Sequence, residues 1–383
     1  MKRIMIVAGE ASADRYGARL VRKLKAQRPD DRLEFFGAGG EEMQKAGVEL
    51  LCHVRDLANI GPREALSHFR MYYESFRSLV KICLEKTPSV AVLLDFPEFN
   101  LRLANKMRQA GIKVVYYISP QIWAWRSGRI RVVRRCVDQM LVILPFEEDY
   151  YRKRGVNAQF VGHPLLEESV PEINREKFLG LLNLDPKRKT IALLPGSRPK
   201  EVRYMLPTLI RAGQLIMGGI PAQCVISVAS SVDLGELRRV ASETLQGDAN
   251  ALYFKIASAP SMEILANSDF GLVKSGTSTL EAALAGNPFL IIYKISPVSW
   301  YVGNILIRSP FKGLVNLIGR EEIVPEFMQG DATPEALSGV ALEYLRNPER
   351  AAAMRSKLAE IRARLGSRCA SDAAAAAVAH YLE

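Results

Sequence analysis

The sequence has few of the residues from which metal sites and disulfide frameworks are built. Its 383 residues include five cysteines and four histidines. The cysteines are odd in number and form no Cys-x-x-Cys pair, which argues against a zinc ribbon and favours a reducing compartment. The histidines are scattered along the chain. We therefore expect no structural metal site.

Long apolar runs are also missing. No uninterrupted run reaches the ~18 residues that span a bilayer, so the sequence does not predict an integral membrane protein. The start, MKRIMIVAGEASAD, is apolar only briefly before a glycine turn, and we expect a buried first strand there, not a signal peptide. Hydrophobic residues make up 48% of the chain and charged residues 24%, which excludes disordered, collagen-like and coiled-coil classes.

Acidic residues are outnumbered, with 41 Asp and Glu against 52 Lys and Arg and a net charge of +11. Most of the excess lies in residues 1–170, which hold 28 basic and 20 acidic residues. A positive first half favours nucleic acid, an anionic membrane surface or a phosphorylated substrate as partner. Composition alone does not choose among the three.

Apolar runs of strand length alternate with helical patterns along most of the chain. Most runs are continuous, which is typical of parallel strands buried on both faces. The sequence predicts an α/β protein with two doubly wound, Rossmann-like parallel-sheet domains, residues 1–165 and 186–348, that face a cleft. Residues 349–383 are predicted to be C-terminal helices. The predicted strands are 4–8, 33–37, 90–95, 112–119, 139–145, 158–162, 190–195, 224–229, 251–256, 269–275 and 288–295.

Ligands of such sheets bind beyond the carboxyl ends of the strands, so the residues that follow each strand are candidates for a site. After the first strand, Gly9 allows a tight turn and Ser12 is placed to cap the next helix. The acids Glu10 and Asp14, and the absence of G-x-G-x-x-G spacing, argue against a pyrophosphate here. An ordinary helix cap explains this turn equally well.

A carboxylate ends the strand at 90–95. Asp95 follows four apolar residues and precedes a proline turn, where a partly desolvated general base would act. Glu98 comes three residues later. The alternative interpretation is a helix cap, with Glu98 favoured by the helix dipole.

Two tryptophans precede a run of arginines. Trp123 and Trp125 are followed by Arg126 and four more arginines before the next acid, Asp138. The tryptophans could stack on bases, rest at a membrane interface, or pack in the core while the arginines form a solvated face. Five uncompensated charges favour a nearby anion.

In the second half, the strand at 190–195 leads into Gly196, Ser197 and Arg198. Glycine and serine at a strand-to-helix turn present backbone amides to an anion, and Arg198 can reach a phosphate through two hydrogen bonds. Walker-loop spacing is absent. An ordinary turn is the competing interpretation.

The strand at 269–275 leads into a similar turn. Ser275, Gly276 and Thr277 offer free amides that suit a diphosphate. Glu281, one helical turn later, suits a ribose diol because a carboxylate can accept two O–H bonds. A capping box would also explain an acid at this position.

The helix predicted at 63–86 mixes aromatic and basic residues. Such a helix can lie in a membrane interface or line an acyl groove. The same residues can instead face the sheet as core. The candidates for membrane or acyl contact are Phe69, Met71, Tyr72 and Phe76.

Taken together, these elements resemble the lipid-A-disaccharide synthases, which are inverting glycosyltransferases of GT-B architecture. WAWR and LPGSR are the more specific strings. Two departures stand out: Ala13 replaces the family's usual glycine, and Glu98 replaces the second acid of its D-x-PDFN string. The matching strings, in family order, are GEASAD (9–14), DFPEFN (95–100), SPQIWAWR (119–126), LPFE (144–147), GHP (162–164), LLPGSRPKEV (193–202), KSGTSTLE (274–281) and LVNLIGREEIVPEFMQ (314–329).

The resemblance implies transfer of a sugar from UDP-2,3-diacylglucosamine to 2,3-diacylglucosamine 1-phosphate, with UDP released, in lipid A (lipopolysaccharide) biosynthesis. It implies Asp95 as general base and Arg198, with the amides at 196–197 and 276–277, as stabilisers of the departing diphosphate. Glu281 would hold the ribose and Asn316 would line the nucleotide site. No metal or other cofactor is expected, since a helix terminus with an arginine can replace a divalent cation.

The resemblance also implies partners and an acceptor side. We expect peripheral association with the cytoplasmic face of the inner membrane, and the helices of 349–383 are expected to pack back on the N-terminal domain. A homodimer remains open. The acceptor-side candidates are Glu10, Ser12, Asp14, Glu98, Asn100, Trp123 and Arg126.

Two rival functions are considered. Another UDP-N-acetylglucosamine GT-B enzyme, an epimerase or the peptidoglycan glycosyltransferase, would share the nucleotide end but not WAWR with DFPEFN. A basic nucleic-acid-binding protein would explain the charge, with steeply salt-dependent binding. It leaves the anion-binding turns unexplained, so we expect no nucleic-acid partner.

Overall fold

The structure is a computed structural model, and it describes residues 1–54, 65–123, 127–168, 174–229, 231–294, 311–366 and 369–383. The side chains of residues 11, 65–71 and 127 lie outside this description. The chain forms two compact units. Unit 1 comprises residues 1–167 and 365–383, and unit 2 comprises residues 168–364.

The strands follow the predicted apolar runs closely. They are β1 Lys2–Ala8, β2 Leu33–Gly39, β3 Val48–His53, β4 Val90–Leu94, β5 Lys113–Tyr117, β6 Gln139–Val142, β7 Ala158–Phe160, β8 Lys189–Leu194, β9 Ala222–Ser227, β10 Phe254–Ala257, β11 Phe270–Lys274, β12 Phe289–Tyr293 and β13 Glu326–Met328.

Helices connect successive strands and close the chain. They are α1 Ala11–Gln27, α2 Glu41–Lys45, α3 Ala65–Lys86, α4 Pro97–Gln109, α5 Ile130–Cys136, α6 Pro145–Arg152, α7 Arg175–Leu181, α8 Pro199–Gly219, α9 Leu234–Leu245, α10 Ser261–Ala266, α11 Ser278–Leu284, α12 Leu314–Gly319, α13 Pro334–Arg346, α14 Pro348–Arg364 and α15 Ala370–Ala379. Among the described residues, no helix combines the length and apolarity needed to cross a membrane.

Each unit contains one parallel sheet. The sheet of unit 1 has the strand order β3-β2-β1-β4-β5-β6-β7, and that of unit 2 has the order β10-β9-β8-β11-β12-β13. The strand order reverses once in each sheet, between β1 and β4 and between β8 and β11. Both sheets are therefore doubly wound, as the continuous apolar runs predict.

The sheet of unit 1 is buried on both faces. Along β1, Met5 and Val7 join one core cluster while Ile4 and Ile6 join the other. This alternation explains why the strand has no polar face in the sequence, since helices cover both sides of the sheet. The strands β3 and β13, which were not predicted, form edges of their sheets. The β13 strand is three residues long and only partly buried, so its apolar signal is weak.

The last helix completes unit 1. Ala374, Ala375 and Val378 of α15 are buried in the same cluster as residues of α1, which explains the alanine run by close helix packing. The expected return of residues 349–383 to the N-terminal domain is wrong for α14, which packs with α11, α12 and α13 in unit 2. Only residues 365–383 belong to unit 1.

Candidate active site

In unit 1, two of the predicted turns meet where the strand order reverses. Ala8 of β1 pairs with Leu94 of β4, so residues 9–10 and residues 95–96 leave the sheet side by side. The crevice at such a reversal is the usual ligand site of doubly wound sheets. The topology therefore selects these two turns among the strand ends of unit 1.

The backbone at residues 95 and 96 is left-handed. Asp95 has φ of +48° and Phe96 has φ of +47°, a conformation that costs a residue with a side chain roughly 1–2 kcal/mol. The Phe96 ring stacks on Phe99 with a centroid distance of 5.6 Å. Gly9 makes room for it, since a Cβ at residue 9 would lie 2.3 Å from Cγ of Phe96. Strain of this kind at a strand end is typical of functional sites.

The Asp95 carboxyl is held in an environment that disfavours its charge. Burial, and after it the negative charge of Glu10, raise the pKa of Asp95 to about 6. The backbone N–H of Phe96 opposes this shift by bonding to the carboxyl. Above pH 6 the group is ionised and can accept a proton, and a base works best when its pKa lies near the working pH.

In the first turn, the acceptor-side prediction for Asp14 and the capping prediction for Ser12 are corrected. Asp14 does not face a ligand, because its carboxylate accepts hydrogen bonds from the backbone N–H groups of Gly40, Glu42 and Met43 at 2.7 to 3.1 Å. It therefore caps α2. Ser12 does not cap α1, because the helix begins at residue 11 and Glu10 holds the N-cap position without a side-chain bond.

The turn at residues 95–100 also differs from its prediction. Asn100 is fully buried, and its Nδ2 donates to the carbonyl oxygens of Leu94 at 3.0 Å and Asp95 at 2.9 Å. It supports the turn from inside the fold and does not contact a substrate directly. Glu98 is exposed and forms an ion pair with Arg129, whose Nη2 lies 2.5 and 2.6 Å from the two carboxylate oxygens. Arg129 is thus not an uncompensated charge.

Trp123 is anchored by a residue to which the sequence assigned no role. Its Nε1 donates to Oε1 of Glu147 at 2.9 Å, and its ring meets Phe146 edge-on at 4.9 Å. Glu147 is buried, and burial raises its pKa to about 7. The only signal for Glu147 in the sequence was its place as an acidic residue in the first turn of the helix that begins in the LPFE string. Arg126 and Trp125 lie outside the described residues.

On α3, two of the predicted membrane contacts pack inward. Tyr72 and Phe76 meet Phe99 edge-on at 5.1 and 5.6 Å, and both lie against the core of unit 1. The core interpretation therefore holds for these two rings. Phe69 and Met71 have side chains outside the described set.

In unit 2, the two predicted anion-binding turns also meet where the strand order reverses. Leu194 of β8 pairs with Val273 of β11, so residues 195–198 and 275–277 leave the sheet as neighbours. Gly196 has φ of +111° and Gly276 has φ of +148°, a region that favours glycine. The side chains of Ser197, Arg198 and Thr277 are exposed there, while Ser275 is half-buried.

An ion pair that the sequence did not reveal lies beside both turns of unit 2. The Nζ of Lys274 lies 2.9 Å from Oε1 of Glu201, and these side chains are only 19% and 12% exposed. A Cβ at residue 196 would lie 2.6 Å from Oε2 of Glu201, and one at residue 276 would lie 3.8 Å from Nζ of Lys274. The Lys274–Glu201 ion pair therefore links the turn at Gly196 to the turn at Gly276. The signal for this ion pair in the sequence was Lys274, a charged residue at the end of the buried strand β11.

The nucleotide-side predictions have different outcomes. Asn316 is fully buried, and its prediction as a lining residue is corrected. Its Nδ2 donates to Val324 O and to Glu326 Oε1, and its Oδ1 accepts from the N–H groups of Ile323 and Val324, all at 2.8 to 3.0 Å. The four bonds leave no polar atom of the side chain for a nucleotide. The prediction failed because the resemblance gives the position of a residue but not the direction of its side chain.

Glu281 is half-buried in the first turn of α11. Thr277, at the N-cap of this helix, makes no side-chain capping bond, so a capping box does not account for the acid. Within the described part of the chain, no cluster of three or more His, Cys, Asp or Glu is arranged to hold a metal ion.

Comparison with known proteins decides the family. Residues 4–379 match the family described as lipid-A-disaccharide synthetase. Lipid-A-disaccharide synthase from Geobacter metallireducens is 38% identical over 100% of this chain and 97% of its own. The enzyme of that name from Myxococcus xanthus is 39% identical over 99% and 97%. The chain belongs to the lipid-A-disaccharide synthase family.

As a member of the lipid-A-disaccharide synthase family, the chain is a glycosyltransferase of lipid A biosynthesis. The rival functions are not favoured. The crystal structure of a ugt transferase from Siraitia grosvenorii in complex with UDP shares the fold, with a TM-score of 0.60 and 13% identity, covering 100% of both chains. The predicted fold class, with two parallel sheets and GT-B architecture, is confirmed.

Proposed function

We propose that the chain transfers a diacylglucosamine residue from UDP-2,3-diacylglucosamine to the 6-hydroxyl of 2,3-diacylglucosamine 1-phosphate, giving a β-1,6-linked disaccharide and UDP. Membership of the family over nearly the whole chain carries this proposal. The reaction needs a base for the acceptor and an anion site for the leaving group. Unit 1 offers the first and unit 2 the second.

Asp95 is the proposed base. Its carboxylate removes the proton of the 6-hydroxyl as the oxygen attacks the anomeric carbon from the face opposite UDP, which inverts that centre. The place of Asp95 at the strand-order reversal of unit 1, its strained backbone and its raised pKa support this role. Glu10, Glu98 and Trp123 remain the proposed acceptor-side residues.

The donor's diphosphate is proposed to bind at the two turns of unit 2. The guanidinium of Arg198 and the amides at 196–197 and 276–277 would stabilise the charge that develops on departing UDP. Glu281 would accept hydrogen bonds from the ribose. These groups can supply the stabilisation that a divalent cation gives elsewhere, so the proposal includes no metal or other cofactor.

We propose peripheral attachment to the cytoplasmic face of the inner membrane. Both substrates carry acyl chains, and α3 presents an outward stripe with the aromatic Tyr73, the basic Arg77 and Lys81, and the apolar Leu84. Lys81 lies 3.9 Å from Glu85, so Arg77 carries the excess positive charge of the stripe. A stripe of this composition suits an anionic lipid interface. Phe69 and Met71 remain proposed contacts. Sedimentation with anionic vesicles should weaken as salt rises, and binding that ignores salt would count against the proposal.

The test is a turnover assay with purified protein, both acylated substrates and a chelator. We expect UDP and the β-linked disaccharide as products, and loss of activity when the donor lacks its acyl chains. Arg198→Ala should lower both turnover and donor affinity. Epimerisation of UDP-N-acetylglucosamine, or no transfer by folded protein, would contradict the proposal.

A further inference from the structure

The turn that carries Asp95 is unusual because its strain extends to the next strand. Besides Asp95 and Phe96, Ile118 at the end of β5 has φ of +65°. A β-branched residue in this region is a clear outlier. Three left-handed residues thus follow the adjacent strands β4 and β5, and such conformations persist only when their surroundings hold them.

Two buried side chains converge on the carbonyl oxygen of Asp95. The Tyr116 hydroxyl, on the neighbouring strand, donates to it at 2.5 Å, and Asn100 Nδ2 donates to it at 2.9 Å. The same Nδ2 also reaches Leu94 O at 3.0 Å. Tyr116 and Asn100 are both fully buried, so neither side chain is available to a substrate. Their shared target is the peptide group that follows the proposed base.

Bonds to that carbonyl restrict the backbone conformation of Asp95, and the backbone conformation limits the directions in which its side chain can project. A residue in the left-handed region projects its side chain differently from one in a strand or a right-handed helix. The Asp95 N–H donates to Tyr117 O at 3.2 Å, so both sides of the residue are tied to β5. If the two donors to its carbonyl were lost, the strained turn could relax and the carboxyl could move toward water.

We propose that Tyr116 and Asn100 are positioning residues for Asp95: by holding its carbonyl, they keep the turn left-handed and direct the carboxylate at the acceptor hydroxyl. This inference rests on the proposed role of Asp95 as base. The competing explanation is that Phe96, packed between Gly9 and Phe99, holds the turn by itself.

The chain offers a matched pair of variants to separate these explanations. Tyr116→Phe removes the hydroxyl that donates to Asp95. Tyr117→Phe removes a hydroxyl that is equally buried on the same strand but lies in the opposite core cluster. The Tyr117 hydroxyl has no hydrogen-bond partner in the described part of the chain. Both changes delete one oxygen, and only the first touches the turn.

With both acylated substrates at saturation, we expect kcat of Tyr116→Phe to fall about tenfold to a hundredfold, because small displacements of a catalytic group have effects of that size. The KM for the donor should stay within about twofold. Asn100→Ala should show the same pattern, and Tyr117→Phe should keep kcat within about twofold. Thermal unfolding of each variant shows that the protein measured is folded.

The pH profile gives a readout that general loss of stability does not move. In the parent protein the acidic limb of kcat/KM, which reports the ligand-free enzyme, should lie near pH 6, set by burial of Asp95 and by the negative charge of Glu10. In Tyr116→Phe the limb should move to lower pH, because a relaxed carboxyl gains water. A fall in kcat with an unmoved limb would contradict positioning.

Asp95→Asn separates this inference from the function on which it rests. Loss of turnover in Asp95→Asn together with normal kcat in Tyr116→Phe would overturn the positioning role alone. Normal turnover in Asp95→Asn would overturn the base, and the positioning role with it. Equal losses in Tyr116→Phe and Tyr117→Phe would also overturn the inference, since the effect would then belong to the strand and not to the bond.

Discussion

Asp95 carries its negative charge where the fold disfavours it. Its pKa is raised from 3.8 to about 6, first by burial and then by Glu10. The folded state therefore binds the proton more tightly than the unfolded chain does. The stability that comes from the protonated form is present below pH 3.8 and is lost as pH rises through 6. At neutral pH the fold retains a charge that destabilises it.

Replacing this charge should stabilise the protein. Asp95→Asn keeps the shape of the side chain and removes the buried charge, so at pH 8 we expect a free energy of unfolding higher by about 1–3 kcal/mol. Urea unfolding at pH 8 and at pH 5 measures it, and the difference should shrink at the lower pH. A variant less stable than the parent at pH 8 would contradict this electrostatic account.

Single residues were predicted from the sequence with mixed success, for a physical reason. The position of Asp95 at the end of a buried strand could be predicted from the apolar run that precedes it, while its role as a base stays a prediction. The side-chain directions of Asp14, Asn100 and Asn316 could not be predicted, because the fold sets their partners. Asp14 bonds to backbone groups of residues 40–43, Asn100 to the carbonyl groups of residues 94 and 95, and Asn316 to groups of residues 323–326. Motif resemblance reports which residue stands at a position, and not which way it points.

The connection between α12 and β13 shows how one amide can hold a whole element. Asn316 on α12 makes four hydrogen bonds to residues 323–326, the segment that leads into β13. Two of its partners are the N–H groups of Ile323 and Val324. The Ile323 N–H also donates to Glu321 O, whereas for the Val324 N–H the bond to Asn316 is the one found in the described part of the chain.

Asn316→Ala should therefore weaken the fold and spare the nucleotide site. We expect a loss of about 2–4 kcal/mol in the free energy of unfolding, because buried polar groups lose their partners. The affinity of the folded variant for UDP should be unchanged. Glu281→Gln serves as the comparison, and it should weaken UDP binding. Weak UDP binding by a stable Asn316→Ala would restore the nucleotide-site prediction.

Strands and helices were predicted well because their signals are local. Continuous apolar runs located every strand of the described structure except the edge strands β3 and β13. The order of strands in the sheets is not local, and it decides which turns meet. The Lys274–Glu201 pair depends on that order, since Lys274 ends β11 and Glu201 lies in the helix that follows β8, and it was not predicted.

Both ends of the chain contribute to unit 1, since residues 365–383 return to the sheet that the first strand begins. The contact is made by α15, which lies against α1 through small residues. Ala374 and Ala375 are fully buried, while Ala376 on the same helix is exposed. The packing of α15 on α1 thus requires small side chains on the buried face of α15.

A pair of substitutions tests this closure. Ala375→Leu should overpack the contact and lower the free energy of unfolding by about 1–3 kcal/mol. Ala376→Leu, which adds the same atoms on the exposed face, should leave it nearly unchanged. Thermal unfolding of both variants is the measurement. Equal midpoints for the two would contradict close packing as the reason for the alanine run.

The most direct test of the account as a whole is the turnover number of Asp95→Asn at pH 8, with both acylated substrates at saturation and the disaccharide product quantified. We predict a fall of about two to four orders of magnitude relative to the parent, as expected for loss of a general base, with UDP still bound normally. Turnover close to that of the parent would contradict the central claim that Asp95 removes the acceptor proton.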